Sequence, residues 1–518
     1  MRAVPALGNL SSMNRWRVAG LIVLAMATAW LALRSFEPRK PAPATPPPPA
    51  PVRDQFHASK PLTVTATLAS TGEPIELSWL ERELRYMLMR GRMRVAAIGV
   101  TDGSPYDLRV EIEHALPSPA KLKLVGPAGK IEREQQVELD ADELSIMRTL
   151  AQTLPAFLGA AHSTEDWAAH VGTEDRSAYE TFVRVSQQLL GPQGAGFTRP
   201  PAAADSETID QLENLTRRHP RFARAWSLLA IAYLNLGGED EASLTQLAES
   251  TAERSLTLDP ASSDAQSALG LVQLRRGQWV AAMEHFNSAL AVDPNASAAL
   301  EGLACLLVDV GHASEALPFA QRATSLQPGS MGAAECLSYA QLATGADPAI
   351  DASNAGAQSL AAAQVRALDA ILAGNLPAAR ETLMHADAAR RSSNWIEPLL
   401  RAAADKKQTS QALQAITRAA SDRSIDPVTE LVCGTALRQT DFVFNRMLRL
   451  EKQNESAPLR LLWLPRTDFL RQSARFESVV STAGLLPFWQ DHGSPDICQS
   501  ETDVYGCKIK PQKLKKDE

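Results

Sequence analysis

Apolar and polar positions follow three different rhythms along this chain, and each predicts a different kind of element. From Val18 to Leu33 (VAGLIVLAMATAWLAL) no charge interrupts an apolar run, which Arg15 and Arg17 precede and Arg34, Arg39 and Lys40 follow. As a helix this run reaches ~24 Å at 1.5 Å per residue. Trp16, Phe36 and snorkelling arginines extend it toward the ~30 Å of a bilayer core. The pattern predicts a single-pass transmembrane anchor over 18–36, with 1–17 as a short cytoplasmic tail. Ala27-Thr28-Ala29 keeps a cleaved signal peptide open as the alternative. Residues 37–59 follow as a proline-rich linker, with Pro46 to Pro49 in a row. Polyproline II at ~3.1 Å per residue makes it a stand-off.

The second rhythm has period two. LTVTATLA (62–69) reads as a strand, WLERELRYMLMRG (79–91) as an amphipathic helix and MRVAAIG (93–99) as a strand. YDLRVEIEHA (106–115) alternates, KLKLVGPAGKIEREQQVEL (121–139) reads as a hairpin turning at Gly126 to Gly129, and a helix closes the region by residue 160. The expectation is a small α/β domain over 60–160, large enough for a core of its own and ordered β-α-β-β-β-β-α.

The third rhythm is a repeat. SDAQSALGLVQLRRGQWVAAMEHFNSALAVDP (263–294) is followed by SAALEGLACLLVDVGHASEALPFAQRATSLQP (297–328), and Pro260, Pro294 and Pro328 stand 34 residues apart. Leu269 and Leu303, Gly270 and Ala304, Gly277 and Gly311, Ala282 and Ala316, and Ala289 and Ala323 keep the same step. Small residues let two helices approach, glycine turns the chain, and proline ends the second helix. These positions closely resemble the tetratricopeptide family, whose units bury their apolar faces only by stacking. Weaker units are expected at 221–237 (Trp226, Leu229, Ala230, Tyr233, Gly237), at 177–220, at Met331–Gly345 and at Leu360–Arg390. The array thus spans 172–390, and 391–518 is expected to be a helical cap with a cysteine-containing tail. The fold class expected is mainly α, a helical-hairpin solenoid preceded by an α/β domain and a transmembrane helix.

YDLRVEIE, GTEDRSAYETFVRV (172–185), PRFARAWSLLAIAYL (220–234) and LLPFWQDHGSPDICQSETDVYGC (485–507) also resemble the periplasmic region of bacterial membrane-anchored acid-sensing transcription regulators and adenylate-cyclase-like proteins. The likeness covers about 60–507 and stops short of their cytoplasmic output domain. It implies a bacterial inner-membrane protein with its bulk in the periplasm.

Charge and candidate chemistry change this picture little. Lys and Arg number 52 against 59 Asp and Glu, a net of -7 with no basic stripe outside the last residues, so nucleic acid is not an expected partner. No phosphate loop, nucleophile elbow, HExxH or kinase set appears, so no enzyme and no cofactor are expected. His162, Asp166 and His170 recur at four-residue steps but straddle a helix boundary, so a metal site there is not expected. Of five cysteines, Cys305 and Cys336 sit among apolar neighbours and read as separate packing residues. Cys498 and Cys507 lie in a polar turn-rich tail and read as a disulfide, with free thiols or a metal site including Asp491 and His492 as alternatives.

The tetratricopeptide resemblance implies that the first helix of each hairpin lines a concave binding wall. Carried onto this register, that wall holds Arg224, Ile231, Tyr233, Leu234, Asn235, Leu271, Leu274, Arg275, Glu301, Cys305, Val308, Glu335, Tyr339 and Leu342. It is mostly apolar and lacks the family's clamp for acidic tails. It suits an apolar peptide, a partner helix or the chain's own flanking segments. The function expected is a non-enzymatic, membrane-anchored scaffold or sensor for protein partners. A sensor of a small ligand or metal acting through 60–160 or the tail is the alternative.

Overall fold

In the computed structural model the chain divides into two units, Met1–Ala58 and Ser59–Glu518. The structure describes residues 62–68, 78–90, 106–113, 116–126, 129–158, 172–190, 206–236, 241–327, 330–345, 360–387, 394–422, 424–452, 458–500 and 504–507. The expected anchor, the proline linker, the strand at 93–99 and the His162, Asp166, His170 trio lie outside them. Among the described residues no helix is long and apolar enough to cross a membrane.

The second unit opens with β1 (Leu62–Leu68), α1 (Ser78–Arg90), β2 (Tyr106–Ile112), β3 (Ser118–Val125), β4 (Ile131–Leu139) and α2 (Glu143–Leu158). The sheet order is β1-β2-β3-β4, with β1 parallel to β2 and the other pairs antiparallel. A parallel pair needs a crossover, and α1 lies within it. Alternation settles the faces: Val64, Ala66, Leu108, Val110, Ile112, Ala120 and Leu122 are buried with Leu80, Leu84 and Met87 of α1. The opposite face carries ion pairs such as Lys123 with Glu111 and Lys121 with Glu113. The sheet's core does not end at residue 160. One apolar cluster runs without a break from Val64 to Val272, joining the sheet to the first helical hairpins.

The helices that follow are α3 (Arg176–Leu190), α4 (Ser206–Arg218), α5 (Ala223–Asn235), α6 (Glu241–Leu258), α7 (Ser263–Arg275), α8 (Trp279–Val292), α9 (Ser297–Asp309), α10 (Ala313–Leu326), α11 (Met331–Thr344), α12 (Leu360–Leu372) and α13 (Leu376–Asp387). The first helices α7, α9 and α11 begin at 263, 297 and 331, so the 34-residue step of the sequence is the step of the hairpins. Gly277 and Gly311 turn the chain between paired helices at φ 66° and 90°, a region other residues enter only with strain. Phe286 of α8 is fully buried between Gly270 of α7 and Gly302 of α9. Past Trp395 hairpins continue without a readable period: α14 (Ile396–Ala404) with α15 (Thr409–Ser421), then α16 (Pro427–Ala436) with α17 (Thr440–Lys452).

The chain ends in a closing segment of short elements. Two 3-10 turns, Leu459–Trp463 and Pro465–Thr467, lead into α18 (Asp468–Arg471), α19 (Phe476–Thr482), α20 (Leu485–His492) and a last turn at Asp496–Gln499. Leu461, Leu462, Trp463, Phe476, Phe488 and Trp489 bury themselves in one apolar cluster with α8, α9 and α11.

A Cβ added at Gly302 would stand 2.3 Å from Phe286 Cζ, and that fully buried ring also packs against Gly270. Gly302→Ala is therefore expected to cost about 1–3 kcal/mol by overpacking. Adding Phe286→Leu should recover part of the loss. Chemical unfolding of the two variants checks this, and a Gly302→Ala protein as stable as the parent would contradict the packing.

Candidate functional site: the first-helix wall

Most of the expected groove residues are buried. Ile231, Tyr233, Leu234 and Asn235 on α5 are 4%, 6%, 4% and 4% exposed, and Tyr339 on α11 is 0% exposed. The Tyr233 hydroxyl donates back to Glu213 Oε1 on α4 at 2.8 Å, and burial together with that carboxylate pushes the phenol's pKa up. Arg275, expected on the wall, donates from Nη2 to the Leu234 carbonyl at 2.7 Å and pairs with Glu241 at 3.6 Å. It therefore ties α7 to α5 and α6. Leu271, Leu274 and Leu342 keep partial exposure at the margin of the central core. Glu301 accepts from the Ser330 hydroxyl at 2.6 Å, and Val308 is 1% exposed.

The closing segment covers the middle of this wall. Arg460 grips Asp309 at the end of α9 three times, with Nη2 on Oδ2 at 2.7 Å, Nε on Oδ1 at 3.0 Å and its backbone N–H on Oδ1 at 2.9 Å. It also reaches Glu335 Oε1 at 3.3 Å and lies 5.7 Å from the Tyr339 ring centre. Burial works to lower the guanidinium's pKa, but Asp309 and Glu335 outweigh it and hold the charge firmly in place. Burial raises the Glu335 carboxyl above the ordinary range despite Arg460.

The last carbonyls of a helix have no partner within it. Here two indoles supply donors: Trp463 Nε1 to Asp309 O at 2.7 Å and Trp489 Nε1 to Val310 O at 2.9 Å. The turn at Gly311 is met in the same way. The Asp496 amide donates to Gly311 O at 2.9 Å, and the Asp496 carboxylate accepts from Ser314 N–H at 2.7 Å at the start of α10. Trp279 Nε1 donates in turn to Ala483 O at 2.6 Å.

Helix α1 braces the other ends of the first helices. Glu83 forms a two-pronged pair with Arg224 at 2.6 and 2.8 Å and accepts from the Tyr179 hydroxyl at 2.6 Å. The Arg224 guanidinium is stacked 4.0 Å from the Tyr86 ring centre and 4.6 Å from that of Phe182. Arg85 meets Asp293 and the Asn295 carbonyl just before α9, and the Tyr86 hydroxyl reaches Asp259 before α7. Burial tends to raise the Glu83 carboxyl, yet Arg224 wins and holds it below the usual carboxylate range.

The cysteines correct one expectation. Cys305 and Cys336 are not separate packing residues: they form a disulfide between α9 and α11, with Cα atoms 5.2 Å apart. Cys498 and Cys507 are bonded as well, also with Cα atoms 5.2 Å apart, and Cys433 is buried as a thiol whose pKa burial pushes far up. Among the described residues no group of three His, Cys, Asp or Glu side chains is placed to hold a metal ion.

Sequence reasoning missed Arg460, Trp463, Trp489 and Glu83. One signal showed that α9 is covered, without naming what covers it. Helix α9 (SAALEGLACLLVD) carries apolar residues on nearly every side, and a helix of that kind is covered all round.

These paired helices at a fixed 34-residue step, with glycine turns and an apolar first-helix wall, are a tetratricopeptide-type array. No protein-family model matches the chain, and no curated protein matches it in sequence. Among solved structures it is similar to YrrB, a TPR protein with an unusual peptide-binding site, at 18% identity over 37% of this chain and 95% of that one, with a TM-score of 0.27. It is similar to TTC0263, a thermophilic TPR protein in Thermus thermophilus, at 18% identity over 38% and 99%, with a TM-score of 0.25. Pseudomonas aeruginosa PilF matches at 18% identity over 45% and 91%, with a TM-score of 0.25. The assignment rests on the helix pairs themselves.

Removing one partner of a buried pair leaves a bare charge and costs about 3–5 kcal/mol. Arg224→Ala is expected to lose that much on chemical unfolding. The Glu83 carboxyl is depressed in the folded state, so its contribution is present above the unfolded carboxylate pKa of ~4.3 and lost as pH falls through the lower folded value. The gap between the parent and Glu83→Gln should therefore close in acid, and a gap that stays constant down to about pH 3 would contradict the assignment. For the cysteines, denaturation without reductant should expose one thiol and with reductant five, counted by alkylation and mass spectrometry.

Proposed function

We propose that this chain is a membrane-anchored, extracytoplasmic tetratricopeptide scaffold that holds a protein partner on its first-helix wall and shields that wall with its own closing segment. The observation that carries the reading is the docking of residues 459–496 on α9 and α11 through Arg460, Trp463 and Trp489. A wall that holds apolar and indole side chains together with the Arg460 guanidinium has the chemistry to bind a partner segment of the same kind. Glu83, Asp309 and Glu335 are each paired with an arginine, which supports a binding role over catalysis.

The tether is residues 18–36, by their uncharged apolar run and its flanking arginines. Two bonded cysteine pairs support a location outside a reducing cytoplasm, because disulfides persist in oxidising compartments.

The partner reading is tested by placing a photocrosslinking residue at Leu274 or at Leu342, both partly exposed at the wall's margin. In intact cells the full chain should yield adducts with a discrete second protein. Crosslinks only to the chain's own residues would mean the wall is internal structure and no partner surface. The tether predicts that the chain stays with membranes through alkaline washing, and release into the soluble fraction would overturn it.

A further inference from the structure

Cys336 Sγ lies 3.2 Å from Arg460 Nη1, so the inner disulfide sits directly beneath the closing segment. Its position sets the grip on that segment. Asp309 is one helical turn beyond Cys305 on α9, and Glu335 immediately precedes Cys336 on α11. The guanidinium spans both carboxylates, and the bond fixes the spacing of the two helices that present them. We propose that the Cys305–Cys336 disulfide is a redox latch: its reduction by a dithiol lets α9 and α11 separate, breaks the double grip on Arg460 and frees the closing segment from the first-helix wall. The S–S bond is cleaved and two S–H bonds form, while the dithiol supplies two electrons and two protons and closes to its own disulfide. The proposal rests on the partner reading above and adds its regulation.

The geometry also imposes an order. Cys336 is 0% and Cys305 9% exposed, with Arg460 lying against Cys336 Sγ, so the inner bond is far less accessible to a reductant than the outer one. The outer pair, Cys498 and Cys507, is partly exposed at the segment's far end. It holds Gly506 so closely against the Trp489 ring that a Cβ there would stand 2.7 Å from the ring. Trp489 in turn donates to Val310 beside the inner bond's helix. Opening the outer bond loosens Trp489 first and admits reductant to the inner one second.

The test uses the oxidised full chain treated with dithiothreitol, sampled over time by differential alkylation and hydrogen exchange. Cys498–Cys507 should open at least tenfold faster than Cys305–Cys336. Exchange over 331–344 and 459–471 should rise at least tenfold only with the second event and fall again on reoxidation. Arg460→Ala should speed reduction of the inner bond at least fivefold, and Cys305→Ser with Cys336→Ser should show the fast exchange without reductant. Exchange equal within twofold in oxidised and reduced protein, or loss of helical circular dichroism throughout the chain on reduction, would make the bond a plain staple and overturn the latch. The dye 8-anilinonaphthalene-1-sulfonate reports the bared wall. Faster exchange and dye binding without crosslinked partners at Leu274 would leave the latch standing and remove the partner reading, whereas partners with unchanged exchange would do the reverse.

Discussion

The first helix of a stacked hairpin carries apolar side chains on a face that its neighbours leave open, and something must cover that face before water leaves it. Burial of apolar surface is worth roughly 25 cal/mol per Å², so a wall as long as three helices is a large driving force. In this chain Leu303, Leu306, Leu307 and Val308 of α9 are all buried in a cluster shared by the neighbouring hairpins and the chain's own closing segment. Much else follows from that cover. The indole donors lie against the end of α9, the bare Cα of Gly311 leaves room for Trp463 and Pro495, and the tail turns back along the array.

Two largely buried arginines settle where the flanking pieces sit. Arg224 receives Glu83 from the sheet domain, and Arg460 carries the closing segment to Asp309 and Glu335. A buried ion pair adds little net stability, because desolvation consumes most of the attraction. Displacement by one residue, however, leaves a bare charge in an apolar interior. The pairs thus act mainly on register: apolar packing brings α1 and the closing segment onto the array, and the charges allow one placement each.

The inner disulfide shows why a composition-based reading of the cysteines was incomplete. Cys305 and Cys336 have the small, apolar-flanked setting of packing residues, and 31 residues separate them. That separation is three short of the hairpin period, close to one helical turn, so the two lie on the same side of neighbouring first helices. Combining repeat arithmetic with helix periodicity reaches the pairing; local composition cannot, because the bond depends on how hairpins stack.

The hairpins themselves were legible in sequence because their determinants are local. Gly277 and Gly311 supply the turns, Pro260, Pro294 and Pro328 follow the helix ends, and alternation in β2 marks its buried face. Cys498 and Cys507 were legible for the same reason, lying close together in a turn-rich tail. What covers the first-helix wall was decided only in three dimensions. Arg460 meets Asp309 across 151 residues, and Glu83 meets Arg224 across 141. No local pattern records such pairings, since an arginine destined for burial reads in sequence like any solvated one. The chain alone determined that a wall of first helices exists, and tertiary packing determined that it is closed, because only packing brings distant carboxylates to a buried cation.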